Sequence, residues 1–117
     1  MRWHVLLLGF MLAASVTCEV SERPLKGEEI TALLADATVR GSTNGKAWEQ
    51  TFHKAGQTFY SIDGNTTSGF WKVQGDQYCS QWPPREVWSC YAVTAEGDRI
   101  TFVSSSGMSY PCRIMGP

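Results

Sequence analysis

Long hydrophobic runs are scarce in this sequence, and the one near its start is too short to span a membrane. Residues 5–14 form an apolar run of ten residues, whereas a transmembrane helix needs about 20. Arg2 and His4 precede the run, and small and then charged residues follow it. This pattern is typical of a secretory signal peptide. We therefore predict a signal peptide over residues 1–17 and a protein that is periplasmic or secreted.

The cleavage site stays open between three alternatives. Ala13 and Ser15 fit the small-x-small rule for a cut after Ser15, and a cut after Cys18 is also compatible with the sequence. In the third alternative Cys18 is the acylated residue of a lipoprotein, although residues 15–17 depart from the usual lipobox. Membrane attachment is predicted only if Cys18 is lipidated; an uncleaved anchor is disfavoured by the short apolar run.

Charge of one sign is also lacking. The sequence carries 10 Lys and Arg against 11 Asp and Glu, for a net charge of −1. Nucleic-acid-binding domains usually carry a strong positive charge, so we predict no nucleic-acid partner. About 100 residues follow the leader, the usual size of one domain, and we predict a single β-rich domain over residues 18–117.

Residues for catalysis and metal binding are few. His53 is the only histidine after the leader, and no Gly-x-Ser-x-Gly motif accompanies it. The segment Asp63–Thr67 begins like a calcium loop, but Ser68 and Gln74 stand where such a loop needs Gly and Glu. We therefore predict that the protein is not an enzyme and has no metal or cofactor.

The cysteines, by contrast, indicate disulfide chemistry. Cys18, Cys79, Cys90 and Cys112 form no Cys-x-x-Cys pair, which disfavours zinc and thioredoxin-type redox sites. In an exported chain such cysteines usually form disulfides. Cys112 is left to pair with Cys18, if Cys18 survives processing, or to remain a free thiol.

Turn residues divide the chain into short segments. An apolar stripe at helical spacing, Ile30, Leu33, Leu34 and Ala37, predicts a helix near residues 27–37. Seven turn signals then separate up to eight strand-like runs: 42–45, 54–56, 63–65, 74–76, 83–85, 95–98 and 105–107. We predict a mainly β fold, a small antiparallel meander or barrel of seven or eight strands with one N-terminal helix; a two-layer sandwich is the alternative.

The turns also predict strand register. Hairpins centred on residues 75–76, 84–85 and 96–97 place one set of residues on one face of the sheet, and a slip of one residue would scatter it. This predicted core face contains Trp71, Val73, Tyr78, Trp82, Val87, Tyr91, Val93, Ile100 and Phe102. The same register places Cys79 opposite Cys90 on the other face, so we predict a disulfide between them.

Aromatic residues beyond the core face suggest a binding surface. Phe70 and Trp88 fall on the face of the predicted disulfide, where exposed aromatic side chains can form a recognition patch. The alternative is that other elements of the fold cover these two side chains. The patch hypothesis motivates a partner that is an envelope protein or a small apolar ligand.

The segment Ser106-Gly107-Met108-Ser109-Tyr110 resembles the Ser-Gly-x-x-Tyr stretch of small periplasmic inhibitors of C-type lysozyme. The resemblance implies an inhibitory loop containing Ser106, Gly107 and Tyr110. However, the Trp-x-Lys-Gly segment expected downstream is missing. An ordinary polar hairpin loop is the alternative.

A longer resemblance covers roughly residues 27–104. The Glu-Glu-Ile-x-x-Leu-Leu helix, the Asp-Gly turn at 63–64, the Gly-x-Trp-x-Val-x-Gly-Asp segment at 69–76 and the Cys…Trp…Cys-Tyr hairpin follow one another in order. This order resembles a family of uncharacterised small exported β-proteins of proteobacteria, from which the bulky Phe70 departs. The resemblance implies location and fold, and no activity. We predict a non-enzymatic envelope protein that binds a protein or a small apolar ligand; the alternative is an inhibitor of lysozyme or of a protease.

Overall fold

The computed structural model describes residues 23–115. The predicted signal peptide and Cys18 lie outside the described residues. One helix, α1 (Gly27–Leu34), precedes eight strands: β1 (Ala37–Thr43), β2 (Lys46–Phe52), β3 (Gln57–Ile62), β4 (Asn65–Gln74), β5 (Gln77–Gln81), β6 (Ser89–Glu96), β7 (Arg99–Ser104) and β8 (Ser109–Met115).

The eight strands form a closed antiparallel barrel. Each strand pairs with the next along the chain, and β8 pairs with β1 through Arg40–Arg113, Val39–Ile114 and Thr38–Met115. Among the strands of residues 23–115, closure leaves no unpaired edge strand. The predicted mainly β fold, with a barrel of seven or eight strands and one helix before it, is confirmed.

All seven connections fall where turn residues predicted them. Asn44 and Gly45, for example, adopt φ angles of 52° and 78° and join β1 to β2 as a two-residue loop. Positive φ at both positions matches the right-handed twist of the paired strands, and Asn-Gly is the preferred sequence for it. Asp63 and Gly64 repeat the arrangement between β3 and β4, with φ angles of 55° and 81°.

Helix α1 ends at Leu34, earlier than the predicted residue 37. Asp36 adopts a φ of 62°, and its N–H donates to the carbonyl oxygen of Phe52 at 2.6 Å. The chain thereby turns, and Ala37 pairs with Phe52 as the first residue of β1. The prediction that Ala37 belongs to the helical stripe was wrong because this residue is buried in the barrel instead.

The helix closes one end of the barrel. Ile30 and Leu34 are fully buried and join the barrel core. At the start of the helix, the N–H of Gly27 donates to Oδ1 of Asp76, in the β4–β5 turn, at 2.8 Å. A carboxylate is favourable at this position because it faces the positive end of the helix dipole.

The predicted register holds across β4, β5 and β6. Val73 pairs with Tyr78, Ser80 with Ser89, and Cys79 with Cys90. A disulfide joins Cys79 and Cys90, which confirms the predicted bond. Within residues 23–115, no helix is long and apolar enough to span a bilayer.

The predicted pairing between β6 and β7 was wrong by two residues. Val93 pairs with Phe102 and Ala95 with Ile100, whereas the predicted hairpin centred on residues 96–97 would place Val93 opposite Ile100. The turn is a two-residue loop closed by Glu96 and Arg99. Because side chains alternate with a period of two, a shift of two residues left the assignment of faces unchanged.

Two members of the predicted core face, Val87 and Trp82, are not in the core. Val87 lies in the loop between β5 and β6 and is 58% exposed. The ladder between these strands begins only at Ser89, so alternation within the loop does not determine which side chains point inward. Trp82 also lies outside the strands, but its ring turns back toward the barrel interior.

Candidate functional site

The end of the barrel opposite α1 opens into a cavity of about 330 Å³. The turns after β1 and β3 and the loops after β5 and β7 surround this opening, because successive strands run in opposite directions. Eleven residues line the cavity: Thr43, Trp48, Gln50, Tyr60, Thr67, Tyr78, Ser80, Trp82, Tyr91, Phe102 and Tyr110. Its volume lies at the small end of the range of about 300–1,000 Å³ for ligand pockets.

One wall of the cavity consists of three aromatic rings from β2, β3 and the loop after β5. The rings of Trp48 and Tyr60 lie 5.5 Å apart, centroid to centroid, and those of Tyr60 and Trp82 lie 6.4 Å apart. Such spacings are within the usual range for interacting aromatic side chains. The rings therefore form a continuous aromatic surface near the opening.

A second group of rings comes from β5 to β8. Tyr78 contacts Phe102 at 5.1 Å and Tyr91 at 5.9 Å, again between ring centroids. Tyr91 in turn contacts Tyr110 at 6.2 Å with an interplanar angle of 82°. This second wall extends from the buried Tyr78 to the exposed Tyr110 at the opening.

Two glycines make room for the tryptophans of the first wall. Gly41 is the cross-strand partner of Trp48, and a Cβ atom added at Gly41 would lie 2.6 Å from Cε2 of the Trp48 indole. A Cβ atom added at Gly69 would likewise lie 2.6 Å from Cε3 of the Trp82 indole. Each indole thus occupies space that a side chain on the neighbouring strand would fill. This arrangement places both rings against the barrel wall.

The floor of the cavity is a hydrogen-bonded polar group. Nε2 of Gln50 donates to Oγ1 of Thr58 at 2.9 Å and to the phenol oxygen of Tyr78 at 3.1 Å. Thr58 donates to the carbonyl oxygen of Thr51 at 2.8 Å. On β5, the strand of Tyr78, Oγ of Ser80 accepts from Nε1 of Trp82 at 3.1 Å. Buried polar groups need such partners because lost hydration is otherwise uncompensated.

The lining carries no charge near neutral pH. None of the eleven lining residues is Asp, Glu, Lys, Arg, His or Cys. Burial raises the pKa of Tyr78 to about 12, with hydrogen bonds from Ser80 and Gln50 acting in the opposite direction. Burial also raises the pKa of Tyr60 and of Tyr91. These phenols therefore stay protonated, so the cavity suits an uncharged, partly apolar molecule.

The structure places the predicted patch residues Phe70 and Trp88 on the outer surface, away from the cavity. Their side chains are 46% and 36% exposed. Nζ of Lys72 lies 4.2 Å from the centroid of the Trp88 ring, a cation–π contact. Lys72 is also the cross-strand partner of Cys79, so this contact lies beside the disulfide.

The predicted inhibitory loop lies at the open end. Ser106 and Gly107 are exposed in the loop between β7 and β8, while Tyr110 is on β8 and lines the cavity. Ser104 holds the loop: its Oγ accepts from the N–H of Met108 at 3.1 Å, and its carbonyl oxygen accepts from Gly107 at 2.9 Å. Tyr110 therefore belongs to two candidate sites.

His53 and Cys112 lie away from the cavity lining. His53 is exposed, and its ring contacts that of Phe59 at 5.2 Å, centroid to centroid. Cys112 forms no disulfide with a described residue, and burial raises its pKa to about 11. In the part of the chain that the structure describes, no group of three or more His, Cys, Asp or Glu side chains could hold a metal ion.

Sequence reasoning missed most of the cavity. Trp48, Gln50 and Phe52 alternate along β2, and this period of two could have placed Gln50 on the inner face. A glutamine on an otherwise apolar face would have been the signal of a polar floor. Comparison with family models, with curated proteins and with solved structures gives no match to this chain.

Proposed function

We propose that this protein is an exported, non-enzymatic binding protein that holds a small uncharged molecule inside its barrel. The observation that carries the proposal is the open cavity, with aromatic walls, a polar floor and no charged residue in its lining. Ligand sites commonly combine an apolar lining with a few fixed polar groups.

Export to the periplasm or the cell exterior is part of the proposal. The Cys79–Cys90 disulfide indicates an oxidising compartment outside the cytoplasm. The apolar run near the start of the sequence and the resemblance to small exported β-proteins of proteobacteria support export specifically.

The chemistry of the lining supports binding rather than catalysis. General acid–base catalysis near neutral pH needs a group whose pKa lies close to the working pH. Histidine, cysteine and carboxylate side chains are absent from the eleven lining residues, and the pKa of Tyr78 is raised to about 12. The lining residues thus favour holding a molecule over transforming it.

Native mass spectrometry tests the proposal on protein purified from its own compartment without unfolding. We expect a bound small molecule on the wild-type chain and its loss in Thr67→Trp, because Thr67 lines the cavity and a larger side chain there would fill it. Thr66→Trp is the matched control. Thr66 precedes Thr67 on β4, is not among the lining residues, and its Oγ1 forms a hydrogen bond with Oγ of its cross-strand partner Ser61 at 2.8 Å. A ligand-free wild type, or equal occupancy in both variants, contradicts the proposal.

A second candidate is inhibition of lysozyme or of a protease through the loop containing Ser106 and Gly107. The observation that favours it is an exposed loop held by Ser104, with Met108 56% exposed beside it. An inhibition assay against C-type lysozyme and serine proteases tests it, with Ser106→Ala as a variant of the loop and Tyr110→Ala as a variant of the neighbouring strand β8. Lack of inhibition by the wild-type protein would remove this candidate.

A further inference from the structure

The orientation of the Gln50 side chain is set by its neighbours. Oγ1 of Thr58 donates its single proton to the carbonyl oxygen of Thr51 at 2.8 Å. Thr58 can therefore only accept from the Gln50 amide, which lies 2.9 Å away. The amide nitrogen must face Thr58, so the carbonyl oxygen Oε1 is the atom left for other contacts.

This oxygen is an acceptor without a protein donor. Both hydrogens of Nε2 are used, one by Thr58 and one by the phenol oxygen of Tyr78. No group within residues 23–115 donates to Oε1 of Gln50. Gln50 lines the cavity and is only 9% exposed. A nearly buried acceptor of this kind gains from a ligand that donates to it.

The floor also keeps at least one hydroxyl proton to donate. Oγ of Ser80 accepts from Trp82 at 3.1 Å, and the phenol oxygen of Tyr78 accepts from Gln50 at 3.1 Å. Each hydroxyl also has a proton of its own, and a bond between the two would use only one of these protons. No other described acceptor takes the second proton. The floor therefore offers an acceptor, Gln50 Oε1, and a hydroxyl donor close to it.

We propose that the cavity selects a neutral, flat heterocycle that carries an N–H group next to a carbonyl, as in a cyclic amide. This inference rests on the proposed function and specifies its ligand. The N–H donates to Oε1 of Gln50, and the carbonyl accepts the free proton of the Tyr78–Ser80 pair. The ring lies between the aromatic wall of Trp48, Tyr60 and Trp82 and the facing wall that contains Tyr91. Flat rings pack well on such surfaces.

Three probes of matched shape test this inference by calorimetric titration of the full-length mature protein. They are 2-quinolone, which has the amide edge, N-methyl-2-quinolone, which lacks the N–H, and naphthalene, which lacks both polar groups. We expect 2-quinolone to bind roughly tenfold or more tightly than the other two, because both of them lack the N–H and leave Oε1 of Gln50 unpaired. Nuclear magnetic resonance shifts of the Trp48 and Trp82 indole N–H groups would locate the binding.

The Gln50→Leu variant removes the acceptor. We expect it to lower the affinity for 2-quinolone about tenfold while the affinity for naphthalene is kept. Gln74→Leu is the matched control because Gln74 is exposed and lies near the closed end of the barrel. The comparison of probes on the wild type needs no variant, so the inference stays testable even if Gln50→Leu does not fold.

The outcomes separate this inference from the proposed function. Equal binding of all three probes overturns the inference and leaves a binding cavity. Absence of binding by all three also overturns it, while native mass spectrometry decides the proposed function independently. Tighter binding of N-methylquinolinium, a cation of the same shape, would show that the rings form a cation site and would overturn the cyclic-amide assignment.

Discussion

The indole of Trp48 occupies the space beside Gly41 that a side chain would need. The two residues are direct partners across β1 and β2, and a Cβ at position 41 would lie 2.6 Å from Cε2 of Trp48. The absence of a side chain at Gly41 therefore sets where the indole rests. The width of the cavity depends on this contact.

Gly41→Ala tests this relationship. The added methyl group must push the indole toward the cavity, and we expect a loss of stability of about 1–3 kcal/mol, typical of overpacking. Ligand affinity should fall in parallel because the displaced ring narrows the cavity. Urea denaturation measures the stability and calorimetry the affinity. Ser42→Ala, at the exposed neighbouring position, is the control and should change neither quantity.

Removal of the disulfide should lower the free energy of unfolding while the barrel still folds. Cys79 and Cys90 are separated by 11 positions, and a loop of this size is expected to stabilise the fold by about 3 kcal/mol in the chain-entropy model. We expect the Cys79→Ala/Cys90→Ala variant to show this loss in urea denaturation, and reductant to have no further effect on it. Equal stability of the variant and the oxidised wild type would contradict the expectation.

Cys112 should react slowly in the folded protein. Burial raises its pKa from 9.0 to about 11, so the reactive thiolate at pH 8 is about a hundredfold scarcer than for an unperturbed thiol. Alkylation with iodoacetamide, followed at Cys112 by peptide mass mapping, should therefore be at least a hundredfold slower in buffer than in denaturant. Similar rates in both conditions would show that the thiol is accessible.

Stability should fall at alkaline pH through Tyr78. Its pKa is about 12 in the folded protein, against 10.0 for an ordinary phenol. Between these values the unfolded chain loses the phenol proton first, so this group lowers the free energy of unfolding by about 1.4 kcal/mol for each pH unit. Well below pH 10 it has no effect, because the phenol is then protonated in both states.

Urea denaturation from pH 9 to pH 12 measures this dependence. Tyr78→Phe should flatten the alkaline slope relative to the wild type, although the variant starts less stable because Gln50 loses a partner. An unchanged slope in Tyr78→Phe would count against burial as the cause.

Much of the barrel could be predicted from turn residues alone. Three turns, Asn44-Gly45, Asp63-Gly64 and Gly75-Asp76, are two-residue hairpin loops. Loops this short allow only one register between the two strands that they join. The disulfide was predicted from the turn centred on residues 84–85, which places Cys79 opposite Cys90. The register between β6 and β7 was harder to predict, because a shift of two residues leaves every side chain on its original face and so keeps the hydrophobic pattern intact.

The cavity could not be predicted in the same way. Alternation along a strand separates inner from outer side chains, but it does not show whether the inner side chains fill the space between them. Here Gly41 and Gly69 let two indoles rest against the wall, and the centre near the opening stays unfilled. The cavity arises from the way inner side chains of several strands pack in the closed barrel, so the pattern of a single strand does not predict it.

Helix α1 also determines how the barrel can be attached to a surface. The helix precedes β1 at the closed end, and Met115, the last described residue, pairs with Thr38 at the start of β1. Both ends of the described chain therefore leave the barrel on the side opposite the opening. A tether joined directly at one of these two described ends starts from that side, so a protein immobilised through it should present its opening to the solution.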